Sequence, residues 1–98
     1  MSMIEIESIS KAPADVALDV AKRARARRKS MGLTQAQLAV KAAVSLGSLR
    51  RFEQTGLIAF DSLVRISFAL GCEQDLEALF SQRAYRSIQE VIRDQRRI

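Results

Sequence analysis

Two adjacent arginines, Arg50 and Arg51, lie in the middle of the segment VSLGSLRRFEQTG, residues 44–56. Leu49 and Phe52 give this segment the apolar spacing of an amphipathic helix, so its other side should face solvent. An arginine fork matches the O6 and N7 acceptors of guanine in the major groove of DNA. We predict that Arg51 reads a base, and that Arg50 either reads a base or contacts a phosphate.

Gly47 lies inside the same predicted helix, where glycine costs about 1 kcal/mol relative to alanine. Without a side chain, the helix could approach a groove more closely. The alternative is that Gly47 has no role in binding and that the first turn of the helix tolerates glycine. Ser45 and Ser48 can donate hydrogen bonds to the DNA backbone or to bases. The segment therefore favours nucleic-acid recognition.

The composition of the 98-residue chain limits the other classes of function. Sixteen Lys and Arg against eleven Asp and Glu give a formal charge of +5, which favours nucleic acid first and an acidic membrane surface second. The chain has no histidine and one cysteine, so the commonest general base and the usual zinc ligands are missing. The four glycines are scattered rather than gathered in a phosphate-binding loop. We predict no enzymatic activity, no metal site and no cofactor.

The apolar stretches of the chain are short. The longest unbroken run, residues 57–60, is far too short for a bilayer span. The first ten residues contain neither a basic leader nor a stretch of signal-peptide length, and the single Cys72 fits a reducing compartment. We expect a cytoplasmic protein that does not enter a membrane.

Apolar residues that recur three and four positions apart, with only one proline, predict an all-α protein. Thr34 and Gln37 match a capping box, and Ser45 is a good N-cap. Three glycines follow amphipathic stretches, where a left-handed residue usually ends a helix: Gly32, Gly56 and Gly71. The predicted helices span 13–31, 34–43, 46–54, 60–70 and 74–80.

The predicted core comes from one stripe on each helix. Its members are Val16, Val20 and Ala24, then Leu38, Ala39 and Ala42, then Leu49 and Phe52, then Leu63, Val64, Ile66 and Leu70, and finally Leu76, Leu79 and Phe80. Arg28 continues the stripe of the first helix, and an arginine in line with a core stripe needs a partner. Glu53 lies beside the inward face of the third helix. We therefore predict a buried ion pair between Arg28 and Glu53.

The chain divides into three predicted regions. Residues 1–12 form an N-terminal tail, for which a short edge strand is the alternative, and 13–81 form the helical domain. Residues 82–98 form an amphipathic basic extension and a candidate sixth helix, with Tyr85, Ile88, Val91 and Ile92 on one stripe. This stripe could pack back on the domain, pair with a second copy or dock another protein.

Two short helices joined by a tight connection are the layout of a helix-turn-helix. The stretch GLTQAQLAVKAAVSLGSLRRFEQTG resembles the lambda-repressor-like, or XRE/Cro, family of DNA-binding domains, over about residues 16–80. The likeness rests on GLTQ opening the second helix, Val-Ser opening the third, Phe-Glu near its end, and DSLVRISFALG as the fourth. It implies a five-helix domain in which Gln35 contacts a phosphate, and it also implies the Arg28–Glu53 pair.

The chain departs from this family at two places. Ala43 stands where the family often has glycine, at a cost of about 1 kcal/mol if that backbone is left-handed. Leu46 and Gly47 occupy reading positions where family members commonly have polar residues. The predicted DNA-binding set is Gln35, Ser45, Leu46, Gly47, Ser48, Arg50 and Arg51.

The resemblance implies a sequence-specific transcriptional regulator, a repressor, that binds an inverted repeat in double-stranded DNA as a homodimer. The stretch SLRRFEQTGLIAFDSLVRISFALG, followed by DLEALF and an arginine-rich amphipathic end, also looks like HipB-like antitoxins, which bind their own promoter and hold a HipA-like kinase toxin. A phage-type repressor and a controller of a restriction system are close alternatives. The rival hypothesis is a protein-interaction module on a helix-turn-helix scaffold with little specific DNA binding, which Leu46 and Gly47 favour.

Overall fold

A computed structural model of the chain describes residues 11–81. These residues form five α-helices and no strand, which confirms the prediction of an all-α architecture. The helices are α1 (Pro13–Ser30), α2 (Gln35–Ala42), α3 (Leu46–Thr55), α4 (Phe60–Ala69) and α5 (Glu73–Glu77). Among these five, none has the length and apolar character needed to cross a bilayer. Nearly all of the predicted tail, 1–12, and all of the predicted extension, 82–98, lie outside the described residues.

The first turns of α1 and α2 follow from their capping residues. Pro13 opens α1, and the Asp15 carboxylate accepts a hydrogen bond from the Ala12 backbone N–H at 3.0 Å. At α2, the Gln37 N–H donates to Thr34 Oγ1 at 3.1 Å, and the Thr34 N–H donates to Gln37 Oε1 at 2.9 Å. The predicted capping box is therefore confirmed.

The core lies where α3 packs against α1 and α2, and where α4 packs against α2 and α5. Its buried apolar members are Ala21, Leu38, Ala39, Ala42, Leu49, Phe52, Ile66, Ala69 and Leu70. The stripe predicted for α1 is partly wrong, because Val16 is 48% exposed while Ala21 is fully buried. Gly56, which ends α3, lies directly against the backbone of Ala17. Such a close approach turns the small residues of α1, rather than its valine at 16, toward α3.

The predicted fifth helix, 74–80, ends too late. The observed α5 stops at Glu77, and the N–H groups of Leu79 and Ser81 donate to carbonyls three residues earlier, as in successive turns. Phe80 has φ +66° and is 86% exposed, so a left-handed backbone takes it out of the helix. Leu79 is also exposed, and only Leu76 of the predicted apolar side lies half-buried.

The connection between α2 and α3 contains a strained residue. Ala43 has φ +56° and ψ +42°, a left-handed conformation that glycine adopts without a Cβ penalty. Its carbonyl accepts a hydrogen bond of 3.3 Å from Arg65 Nη1 on α4.

We expect Ala43→Gly to raise the free energy of unfolding by about 1 kcal/mol, because glycine adopts this backbone without a Cβ penalty. Urea denaturation measures the change. The control is Ala42→Gly, one residue earlier in right-handed helix and buried, where glycine should destabilise the domain. A loss of stability in both variants would contradict the strain at Ala43.

Candidate nucleic-acid interface

The α3 outer face, defined here as Ser45, Gly47, Ser48, Arg50 and Arg51, is exposed along its whole length. Opposite it, Leu49 and Phe52 are buried in the core, as the apolar spacing predicted. Within residues 11–81, neither guanidinium group of this face forms an ion pair or a side-chain hydrogen bond. No side chain of the described residues therefore competes with a ligand for these two groups.

The two serines of this face form the N-terminal cap of α3. Ser45 Oγ accepts a hydrogen bond of 3.0 Å from the Ser48 N–H, and the two hydroxyl groups lie 2.8 Å apart. The predicted N-cap is confirmed. Each hydroxyl keeps further hydrogen-bonding capacity on the solvent side, since a serine hydroxyl has one donor and two acceptor sites.

Leu46 is placed differently from the five residues of the α3 outer face. It is half-buried and packs against the core cluster, so only part of its side chain can reach a ligand. Its spacing of three residues from Leu49 is the sequence signal for this placement. The α3 outer face therefore includes the residues on both sides of Leu46, Ser45 and Gly47, but not Leu46 itself.

The predicted ion pair between α1 and α3 is confirmed. Arg28 Nε donates to Glu53 Oε2 at 2.7 Å, and Arg28 Nη2 donates to Glu53 Oε1 at 3.0 Å. Arg28 Nη1 also donates to the Leu33 carbonyl at 2.8 Å, at the entry to α2. Arg28 is 7% exposed and Glu53 8%. The bidentate geometry gives both buried charges a fixed orientation.

Two further side chains, which were not predicted for this pair, also reach Glu53. Gln35 Nε2 donates to Glu53 Oε1 at 2.9 Å, and Arg25 Nε lies 3.9 Å from the same oxygen. Burial raises the pKa of Glu53, but the hydrogen bonds from Arg28 and Gln35, with the charges of Arg28 and Arg25, outweigh it and hold the pKa below its ordinary value. Glu53 is therefore ionised at neutral pH.

This cluster joins three helices behind the α3 outer face. Arg28 lies near the end of α1, Gln35 is the first residue of α2, and Glu53 belongs to the last turns of α3. The Gln35 side-chain amide donates one hydrogen bond to Glu53, and the Gln35 backbone N–H, in the first turn of α2, is a further donor for an external anion. The arrangement fixes α2 and α3 against each other.

The basic run KRARARRK, residues 22–29, divides among several environments. Besides the buried Arg28, Arg27 Nε donates to the Leu70 carbonyl at 3.0 Å and ties α1 to the end of α4. Arg23 and Lys29 are exposed. At least one further cation of this run thus contributes to the fold.

Gly47 has open space around it, because a Cβ added there would meet no atom within 4 Å. We expect Gly47→Ala to raise the free energy of unfolding by about 0.5–1 kcal/mol, since its backbone is helical and alanine has the higher helix propensity. Thermal unfolding gives the stability, and DNA titration gives the affinity. A more stable variant with weaker DNA binding supports the close-approach role of Gly47, whereas unchanged binding favours the glycine without a role.

The α3 outer face thus presents two arginines and two hydroxyl groups on one side of a short helix, with no side chain at Gly47. Its width is that of a single α-helix, the element that the major groove of B-DNA admits. Comparisons of this chain with protein-family models, with curated proteins and with solved structures find no match.

Proposed function

We propose that the chain is a sequence-specific DNA-binding regulator whose α3 enters the major groove. The observation that carries this proposal is the pair of exposed guanidinium groups, Arg50 and Arg51, on a short helix that a buried ion pair holds in place. The connection 43–45 between α2 and α3 has the length typical of a helix-turn-helix. The resemblance to lambda-repressor-like domains agrees with this layout.

The expected contacts fall into two groups. Arg51, and Arg50 beside it, would form bidentate hydrogen bonds with guanine, each such pair being worth roughly 1–3 kcal/mol of discrimination. The start of α2, at Gln35, would contact a phosphate through backbone N–H groups, and Ser45 or Ser48 would add a hydroxyl donor. The formal charge of +5 favours approach to the duplex.

A dimer on an inverted repeat is part of this proposal. A single recognition helix contacts too few base pairs for useful specificity, whereas two helices about 34 Å apart would occupy successive major grooves. Occupation of an operator by such a dimer would repress transcription. An autoregulating HipB-like antitoxin is the narrower version, and it requires a neighbouring reading frame that encodes a HipA-like kinase toxin.

We expect Arg51→Ala to weaken binding to the selected operator about tenfold or more, while the melting temperature stays unchanged because the side chain is exposed. The operator would first be selected from a random DNA pool, and titrations would give the affinities. The matched control is Lys22→Ala, which removes the same charge from the exposed surface of α1. Equal affinities of the Arg51 variant and the parent would eliminate the base-reading assignment.

A protein-interaction module with little specific DNA binding is the second candidate. It is favoured by the half-buried Leu46 and by Gly47, which leave few base-reading side chains at the start of α3. Binding to selected and random DNA over a range of salt concentrations separates the candidates, because specific complexes persist at salt concentrations that dissociate nonspecific ones. Identical salt dependence and affinity for both DNAs would favour the interaction module.

A further inference from the structure

An apolar groove of about 460 Å³ lies between α1, α4 and α5. Its apolar lining comes from Val20 and Ala24 on α1, Leu63 and Ile66 on α4, and Leu76 and Leu79 at α5 and beyond. All of these except Ile66 remain partly exposed, although each has apolar neighbours in the groove. Such a concave apolar surface is suited to the apolar side of another helix.

We propose that residues 82–98 of the same chain occupy this groove as an amphipathic helix. The segment begins three residues after Leu79, which lines the groove. Its apolar residues fall on one helical stripe that can meet the lining: Tyr85, Ile88, Val91 and Ile92. The proposal is independent of DNA binding, since none of the α3 outer face lines the groove.

The length and attachment of the segment fit this site. Seventeen helical residues extend about 25 Å, whereas the groove-lining part of α1, from Val20 to Arg27, extends about 10 Å. The left-handed backbone at Phe80 turns the chain sharply just before the segment starts. A short connection also gives the segment a high effective concentration at the groove, which favours it over a second copy.

A buried carboxylate provides an independent reason. Glu73 Oε1 is shielded from solvent, and it accepts no hydrogen bond from residues 11–81. Glu73 does not itself line the groove, but Cys72 and Asp75, close to it in the chain, do. Buried acceptors are usually satisfied by a donor. The segment 82–98 contains five arginines, and a guanidinium group from it is a donor that suits a carboxylate.

Cys72, the single cysteine of the chain, allows a direct test because it lines the groove. The rate of its alkylation by the neutral reagent iodoacetamide would be measured in the full chain. We expect the double variant Ile88→Asp and Ile92→Asp to react at least about tenfold faster than the parent, because charged residues on the stripe would open the groove. Glu90→Ala, on the opposite side of the helix, should react at the parent rate. Equal rates for the parent and the double variant would overturn the proposal.

A cysteine pair tests the proposal without disrupting the stripe by charge. Under mild oxidation, at least one of the stripe variants Tyr85→Cys, Ile88→Cys, Val91→Cys and Ile92→Cys should form a disulfide with Cys72 within one chain, whereas Glu90→Cys should not. The experiment would be repeated at protein concentrations from about 1 μM to about 1 mM, and the intrachain product should not depend on concentration. Disulfide-linked dimers that increase with concentration would overturn the proposal and assign the groove to a second copy. Absence of the intrachain disulfide would overturn it as well.

Discussion

Arg28→Ala is expected to lower the free energy of unfolding by about 3–5 kcal/mol. The substitution would leave the Glu53 carboxylate buried without its bidentate partner, and it would remove the donor to the Leu33 carbonyl. Since small domains are typically stable by only about 5–15 kcal/mol, the substitution would remove a large share of that stability. Thermal melts followed by circular dichroism measure the effect, at roughly 4–8 °C per kcal/mol for a domain of this size.

The matched control for this prediction is Arg25→Ala. Arg25 carries the same charge but lies 3.9 Å from Glu53 with a side chain that is 55% exposed, so its removal should cost at most about 0.5 kcal/mol. Replacing both partners, with Arg28→Met and Glu53→Leu, should recover much of the lost stability because no buried charge remains. An unchanged melting temperature for Arg28→Ala would show that the ion pair does not stabilise the fold.

Acid provides a second measurement on the same pair. In the parent, the pKa of Glu53 is lowered from 4.5, so its stabilising contribution is present above that pH and is lost as the pH falls through the lowered pKa. In Arg28→Ala, the hydrogen bonds and the charge of Arg28, which lower the pKa of Glu53, would be absent. Burial would then raise this pKa instead. Protonation of Glu53 would then neutralise the buried charge in the variant. Its loss of stability relative to the parent should therefore become smaller as the pH falls toward 4.5. A deficit that stays constant with pH would contradict a stranded charge at Glu53.

The second large effect is expected at Gly56, where α3 ends against α1. Its φ is +81°, and a Cβ built there would lie 2.7 Å from the Ala17 carbonyl carbon and 2.9 Å from the Leu18 nitrogen. These are backbone atoms, so α1 and α3 would have to move apart. We expect Gly56→Ala to lower the free energy of unfolding by about 2–5 kcal/mol, from the left-handed backbone and the overpacking together. Urea denaturation measures this loss.

Gly32→Ala separates the two causes. Gly32 also has a left-handed backbone, with φ +73°, but a Cβ at this position would meet no atom within 4 Å. Its replacement should therefore cost only the backbone term, about 1–2 kcal/mol. The difference between the two variants measures the close approach of α3 to α1. Equal losses would mean that the helices accommodate the added methyl group at Gly56.

The features that were predicted correctly follow either from residues close together in the chain or from a charged residue within an apolar stripe. The Thr34–Gln37 capping box needs only residues three apart, and the buried Arg28 interrupts an apolar stripe in a way that demands a partner. By contrast, the role of Ala21 in the core depends on the contact between α1 and the end of α3 at Gly56. Hydrophobicity along α1 alone favours the valines, so that contact could not be inferred from the sequence.

The candidate nucleic-acid interface shows the same difference between features that local patterns predict and features that depend on contacts between helices. The exposure of Arg50 and Arg51 followed from the apolar positions of α3, because the opposite side of a helix is fixed once its inward side is known. The hydrogen bond from Gln35 to Glu53 did not follow, since these residues lie on different helices, 18 positions apart in the chain. Arg65, which donates to the Ala43 carbonyl, was missed for the same reason.

The position of Glu53 behind the α3 outer face also affects how a mutational screen should be interpreted. Substitutions that abolish an activity are often mapped as direct contacts with the ligand. Glu53 is only 8% exposed and is held by side chains from α1 and α2, so its loss would release the two short helices from each other. Under the proposed function, a screen for defective variants would therefore identify Glu53 as well as Arg51, although the loss at Glu53 would act through the fold. Measuring the abundance of folded protein for each variant would separate the two residues.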